Sequence, residues 1–353
     1  ELCEPTLWRL AQKAFALTAS YDTAISARLA VVNPSSDGAA RESLLPATLD
    51  IRAPRALALR YGENPHQSAA LYSTRRGGIA DARQLQGKEL SYNNLVDLDA
   101  AWQLIQEFQL PASAIIKHTN PCGCAEAGEL AESYRKAFEA DPISAFGGVL
   151  AFNREVDDAT AREIAKTFIE AIAAPGYTPD ARNVLASKKN LRLLEVRSAA
   201  AGELVLKSIS GGYLAQTADD VGLDRATARV ASDRQPSEEE WKALEFGWKV
   251  CKHVKSNAIV YARAGQAISA GAGQMSRVDS VKVGAMKAVL PLEGTVLASD
   301  AFFPFADGLE EAAKHGVTAV IQPGGSVNDQ AVIDAANRLG LAMVFTGVRH
   351  FRH

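Results

Sequence analysis

The chain has 353 residues, 47% hydrophobic and 22% charged, with 26 Gly and 14 Pro; this composition excludes intrinsic disorder and collagen-like repeats, and the length suits two or three domains. With 38 Lys and Arg against 41 Asp and Glu the net charge is -3, so no broad cationic field exists to draw in nucleic acid or an anionic membrane. Only four cysteines, no apolar run near the roughly 20 residues of a membrane span, and no signal-peptide pattern at the start predict a soluble, cytoplasmic protein.

In chain order, Leu7, Leu10, Ala14, Leu17, Tyr21, Ile25 and Leu29 recur at helical spacing and predict an amphipathic helix over 5–32, one that must pack on something. Asn33-Pro34-Ser35-Ser36-Asp37-Gly38 breaks it and opens a linker to about Leu45. From Arg55, short β-rich runs alternate with helical patterns: a strand at 114–116, a helix over 126–139, a strand at 149–152, a helix over 158–173, and strands near 183–186 and 203–209. Ser237 and Glu240 form a capping-box pattern before Trp241, Leu244, Trp248 and Val250. Strands are then expected at 257–262, 295–299, 317–321 and 342–345, with helices over 277–289, 307–315 and 327–338 between them. The alternation predicts a layered α/β fold in two units that meet near 200–235.

Several constellations can carry chemistry. Lys117-His118-Thr119-Asn120-Pro121-Cys122-Gly123-Cys124 follows the apolar run 114–116 and reads as a loop leaving a buried strand, where α/β folds place their sites. A histidine can exchange a proton at neutral pH, and a neighbouring lysine can steady an anion; a capped turn with no function has the same composition. His118, Cys122 and Cys124 also raise zinc, but Cys-x-Cys brings two thiolates awkwardly close, no His-x-Glu element is present and no fourth ligand offers itself. Arg60-Tyr61-Gly62-Glu63-Asn64-Pro65-His66-Gln67 supplies a planar guanidinium and a phenol suited to phosphate. Gly271-Ala272-Gly273-Gln274-Met275-Ser276-Arg277 lies between a predicted strand and helix, matching neither the dinucleotide fingerprint nor the P-loop. Lys255-Ser256-Asn257, the aromatic run within 299–308 and the turn 323–329 complete the set. These residues alone reach an α/β enzyme with an anion-binding, proton-transferring site, and no substrate.

Together the segments RYGENPHQ, GKELSYNNLVDLDAAW, IIKHTNPCGCA, DPISAFGGV, IAAPGY, SKKNLRLL, GGYLAQ, VKSNAIVYA, GAGQMSRVDSV, SDAFFPFADGLE and QPGGSVNDQ resemble, in order, the formyltransferase region of the AICAR transformylase/IMP cyclohydrolase family. The match runs from about residue 46 to the C-terminus. The resemblance implies an α/β fold of two cytidine-deaminase-like units without the deaminase zinc, 46–225 and 226–353, preceded by a helix and linker over 1–45 that resembles the end of the cyclohydrolase domain. The rest of that domain, and so cyclisation to IMP, is expected to be absent, and the start at Glu1 without Met fits a sequence that begins mid-chain. The implied reaction moves a formyl group from 10-formyltetrahydrofolate to the 5-amino group of AICAR, in a cytoplasmic homodimer with sites at the subunit interface.

Residue by residue, the resemblance makes His118 the base, Lys117 the oxyanion stabiliser and Asn257 its helper. Arg60, Tyr61 and Arg349 match phosphate anchors, Gly147 and Glu170 lie beside the nucleotide, and Arg277 and Phe302 match contacts to the carboxamide end. Val278, Asp307, Ser326 and Val327 match the folate side, and a potassium ion is implied near Ser256 and Asp300. Arg352-His353 departs from the double-His ending of some family members, leaving His353 without an assigned role. Two other readings compete: a non-catalytic nucleotide-binding or dimerisation module, and a zinc nucleobase deaminase.

Overall fold

The computed structural model describes residues 2–31, 45–74, 76–198 and 204–353; apart from Leu45, the expected linker lies outside them. Among the described residues the elements run as α1 (Glu4–Val31), β1 (Arg55–Leu59), β2 (Ala69–Tyr72), β3 (Arg83–Gln86), α2 (Tyr92–Ile105), β4 (Ala112–Lys117), β5 (Asn120–Glu126), α3 (Leu130–Ala140), the single turn α4 (Pro142–Ala145), β6 (Val149–Phe152), α5 (Asp158–Ala165), β7 (Ala171–Ala174), α6 (Pro179–Leu185) and β8 (Arg192–Glu195). The hairpin β9 (Val205–Ile209) and β10 (Gly212–Gln216) follows, then β11 (Arg229–Val230), α7 (Glu238–Cys251), β12 (Ile259–Arg263), β13 (Gln266–Gly271), α8 (Arg277–Lys287), β14 (Val296–Ser299), α9 (Asp307–Lys314), β15 (Ala319–Gln322), α10 (Asp329–Arg338) and β16 (Ala342–Phe345).

Two compact units result. The smaller carries α1 and the β9–β10 hairpin; along α1 the side chains of Leu7, Trp8, Phe15 and Leu17 are exposed. The larger unit is built on a 12-stranded sheet in the order β11-β16-β15-β14-β12-β13-β5-β4-β6-β7-β8-β3. This order contains a repeat: β3-α2-β4-β5-α3-β6-α5-β7-α6-β8 and β11-α7-β12-β13-α8-β14-α9-β15-α10-β16 share element sequence and sheet position. The halves join where β5 meets β13 antiparallel, with Ala125 opposite Gln266.

Strand directions decide where the loops gather. β14, β15 and β16 are mutually parallel, β12 is antiparallel to β14, and β13, β5 and β4 alternate from there. Antiparallel pairing of β4 with β6 then sets β6, β7 and β8. The ends of β4, β13, β14, β15 and β16 therefore share one sheet edge with the starts of β5, β12, β6, β7 and β8.

The inner strands of the large sheet, such as β4, β6, β7, β14, β15 and β16, are buried on both faces, which is why they read as continuous apolar runs. On one face α2 and α7 cover a single core that crosses both halves, with Leu98, Trp102, Ile116, Phe246, Trp248 and Val260 within it. On the other, α3, α5 and α6 cover the first half and α8, α9 and α10 the second. Gly123 on β5 is required by this packing, since a Cβ there would sit 2.0 Å from the carbonyl oxygen of Ala137 on α3.

Three expectations need correction. The helix expected over 158–173 stops at Ala165, and the Ala-rich 171–174 is strand β7, burial on both faces overriding its helical propensity. The strand expected at 183–186 falls largely in α6, which Thr178 caps through its side chain and Pro179 opens. The helix expected over 126–139 begins only at Leu130, and 120–126 is strand β5 rather than loop. No helix among the described residues is long and apolar enough to cross a membrane.

Candidate active site at one sheet edge

The six residues of β4 are buried almost throughout, and the chain reverses into β5 with only His118 and Thr119 between the paired Lys117 and Asn120. A two-residue hairpin loop of type I′ needs positive φ at both positions, and His118 has φ 51° and Thr119 φ 62°. Neither residue takes that conformation readily, least of all the β-branched threonine, so the surroundings must hold it. The Thr119 N–H donates to Asp97 Oδ1 on α2 at 2.7 Å. Asn120 Nδ2 donates to the His118 carbonyl at 3.2 Å, and its Oδ1 accepts from the Lys255 N–H at 3.0 Å. The exposed His118 imidazole makes no hydrogen bond among the described residues.

Lys117 turns to the start of β6, where its ammonium donates to the carbonyls of Phe146 at 2.9 Å and Gly147 at 3.0 Å. Gly147 has φ 67°, which favours glycine, and a Cβ there would lie 3.3 Å from Lys117 Nζ, so a larger residue would also crowd the ammonium. Glu170, entering β7, is held by Arg192 at 2.7 Å. Arg60 stacks on the Tyr61 ring at 4.6 Å and donates to its hydroxyl at 2.9 Å. Their loop is tied to α2 by Asn93, whose Nδ2 donates to the Glu63 carbonyl at 3.2 Å. Asn93 and Asp97 are four residues apart, hence on one helix face, so α2 brings the Arg60 loop and the His118 turn together.

The second half supplies the facing loops. Arg277 and Asp300 form a buried ion pair at 2.6 Å, with 5% and 0% of their side chains exposed. Arg277 also donates to Ser299 Oγ at 2.8 Å and to Asn257 Oδ1 at 2.8 Å. Asp300 accepts further from the Ala258 N–H at 3.1 Å and from the Ser256 hydroxyl. The Asp300 carboxylate, expected near potassium, is thus in contact with the Arg277 guanidinium and the Ser256 hydroxyl. Asn257, expected to donate to an oxyanion, spends its amide hydrogens on the carbonyls of Gln274 at 2.9 Å and Met275 at 3.2 Å.

The remaining expected residues follow strands at this same edge. Phe302 is partly exposed after β14, Val278 lies in α8, and Asp307 opens α9. Ser326 and the fully exposed Val327 sit in the turn after β15. Asn328 Nδ2 donates to the Pro304 carbonyl at 2.9 Å, joining these two loops. Arg349, exposed beyond β16, stacks on Phe351 at 4.3 Å.

The two thiols of the Cys-x-Cys run cannot serve one metal. The register shift between Ile115 and Ile116 leaves Cys122 packed in the core of one sheet face and Cys124 in that of the other. Burial pushes the Cys122 thiol up to about 12 and Cys124 higher still. Among the described residues no group of three His, Cys, Asp or Glu side chains could hold a metal ion. Sequence reasoning missed Asn93 and Asp97, which brace the turn from α2, and gave Asn120, within the Lys117–Cys124 run, no role of its own. The four-residue spacing of Asn93 and Asp97, after the Ser91 cap, was the available signal.

The family profile described as AICARFT/IMPCHase bienzyme matches residues 2–287. The chain is 52% identical over 363 aligned positions to the bifunctional purine biosynthesis protein PurH of Sorangium cellulosum (strain So ce56), an alignment covering 100% of this chain and 70% of that protein. These matches show that the chain belongs to the AICARFT/IMPCHase family.

Proposed function

We propose that this edge is the AICAR formyltransferase site of purine biosynthesis and that Lys117 and His118 carry the chemistry. The observation behind this reading is the strained β4–β5 turn, which presents an unpaired imidazole beside an anchored ammonium. The 5-amino group of AICAR is conjugated with its ring and carboxamide, so attack on the formyl carbon of 10-formyltetrahydrofolate needs a base. His118 takes the amine proton as the C–N bond forms. Negative charge on the former formyl oxygen meets the Lys117 ammonium, which has a third hydrogen beyond the two given to Phe146 and Gly147. Collapse expels N10 of the folate, to which the imidazolium returns its proton, giving FAICAR and tetrahydrofolate.

Arg60, Tyr61 and Arg349 hold the phosphate, Gly147 and Glu170 flank the nucleotide, and Arg277 and Phe302 meet the carboxamide end. Val278, Asp307, Ser326 and Val327 form the folate side. Asn257 acts by orienting Arg277 and closing the 274–275 turn rather than as an oxyanion donor. No step requires potassium or zinc. The transformylase units divide as 46–225 and 226–353, and the protein works as a homodimer. Exposed Phe146 and Phe168, their rings tilted against each other at 5.4 Å beside Gly147, support an interface near the site. Formation of tetrahydrofolate from AICAR and 10-formyltetrahydrofolate, followed spectrophotometrically, tests the reading; no turnover by folded protein at saturating substrates would leave a nucleotide-binding module instead.

A further inference from the structure

Residues 348–353 form neither helix nor strand, yet they are tethered at nearly every step. The His350 N–H donates to the Asp300 carbonyl, and the Arg352 carbonyl accepts from the Ser256 N–H, each at 3.0 Å. Lys255 Nζ donates to the His353 carbonyl at 3.0 Å. His350, buried against Trp248, donates from Nδ1 to Asp219 Oδ2 at 2.7 Å.

The most specific tether is the Arg352 side chain. One guanidinium nitrogen donates to Gln103 Oε1 on α2 at 3.0 Å and the other to His253 Nδ1, just past α7, at 3.1 Å. A guanidinium has no lone pair to offer, so His253 Nδ1 must accept, and Nε2 must carry the proton given to Glu107 at 3.0 Å. Glu107 thereby fixes the His253 tautomer that Arg352 needs. A planar fork reaching acceptors on two helices is arginine chemistry that a single ammonium reproduces poorly. Arg349, by contrast, makes no ion pair among the described residues and rests only on Phe351.

We infer that Arg352 is a positioning residue: docked between Gln103 and His253, it fixes the 348–353 segment and so presents the Arg349 guanidinium to the phosphate of the nucleotide. This rests on the reading of Arg349 as a phosphate anchor. An untethered segment of this kind frays, and each binding event would then have to order it again.

The test is a double-mutant cycle in the whole chain with R352A, R349A and R349A/R352A, reading kcat and KM for both substrates. R352A is expected to raise the AICAR KM about tenfold, with kcat and the folate KM within about twofold, and to add less than about twofold in the R349A background. R352K, which keeps the stem and charge but not the fork, is expected to fall between and guards against misfolding of R352A. A wild-type AICAR KM in R352A while R349A raises it would overturn the positioning role, as would effects that simply multiply, because Arg352 would then not act through Arg349. An R349A enzyme with unchanged AICAR KM would overturn the phosphate reading and the inference with it.

Discussion

His118 and Thr119 hold a backbone conformation that costs roughly 1–3 kcal/mol each for such residues, and the cost is offset by contacts from α2 and from the loop before β12. The proposed base, on so short a turn, has little freedom to swing away. His118→Ala is expected to lower kcat by roughly 100- to 10,000-fold while AICAR binding by calorimetry stays near wild type; a mutant retaining most of its turnover removes His118 from the base role. Asp97→Ala tests the support instead. It strips a charged acceptor from the Thr119 N–H, and a loss of about 1–3 kcal/mol in unfolding free energy is expected, with kcat reduced. Stability and kcat both at wild-type values would show that the turn holds itself. At this scale the residues proposed to carry the chemistry stood out in the sequence because Lys117, His118, Arg60 and Arg277 announce themselves by type. The turn was not, since His-Thr is an unusual pair for positive φ, and its stability comes from Asp97, twenty-two residues away in sequence.

Among the elements, α2 and α7 were unequally legible for a physical reason. The start of α7 carries a Ser-x-x-Glu box, whereas α2 closes its box with Asn94 and hides behind an Asn pair that reads as turn. Strand β5 was obscured by Pro121 and Gly123, the first at the bulge in its register and the second at the close approach of α3. Where α2 ends, Glu107 takes the ammonium of Lys252 at 3.0 Å and the imidazole of His253. Burial opposes charge on Glu107, but the hydrogen bond and charge of His253 and the ammonium of Lys252 outweigh it, bringing the carboxyl down to about 2. Burial also lowers His253, and the Arg352 guanidinium adds to this against the pull of Glu107. Both groups thus bind protons less readily folded than unfolded, so their contribution is present at neutral pH and lost on acidification. For His253 the loss begins as pH falls through the ordinary value of 6.5, and for Glu107 it runs from 4.5 toward about 2. The thermal midpoint is therefore expected to fall between pH 7.5 and pH 5, and less steeply in His253→Gln; a midpoint independent of pH in wild type would show that His253 binds its proton as readily in the folded chain as in the unfolded one.

For the larger unit as a whole, the repeated topology suggests two halves able to unfold separately, but the packing between them says otherwise. The core beneath α2 and α7 is continuous across the join, with Phe108 and Phe246 rings 5.2 Å apart. The sheet is bridged where Ala125 faces Gln266, and the Gln266 side chain donates to the Lys136 carbonyl of α3 at 2.8 Å. The proposed site also draws its base from one half and its Arg277–Asp300 pair from the other, so independent halves would dismantle it. One cooperative transition is expected. Trp102 on α2 and Trp248 on α7, both buried, are natural reporters. In two single-tryptophan variants, the others replaced by Phe, urea midpoints read by fluorescence should coincide. Phe108→Ala, which opens a cavity at the join, should lower both midpoints together, by an amount corresponding to about 3–5 kcal/mol. If only the Trp102 midpoint moved, the two halves would be separate folding units that merely share an edge.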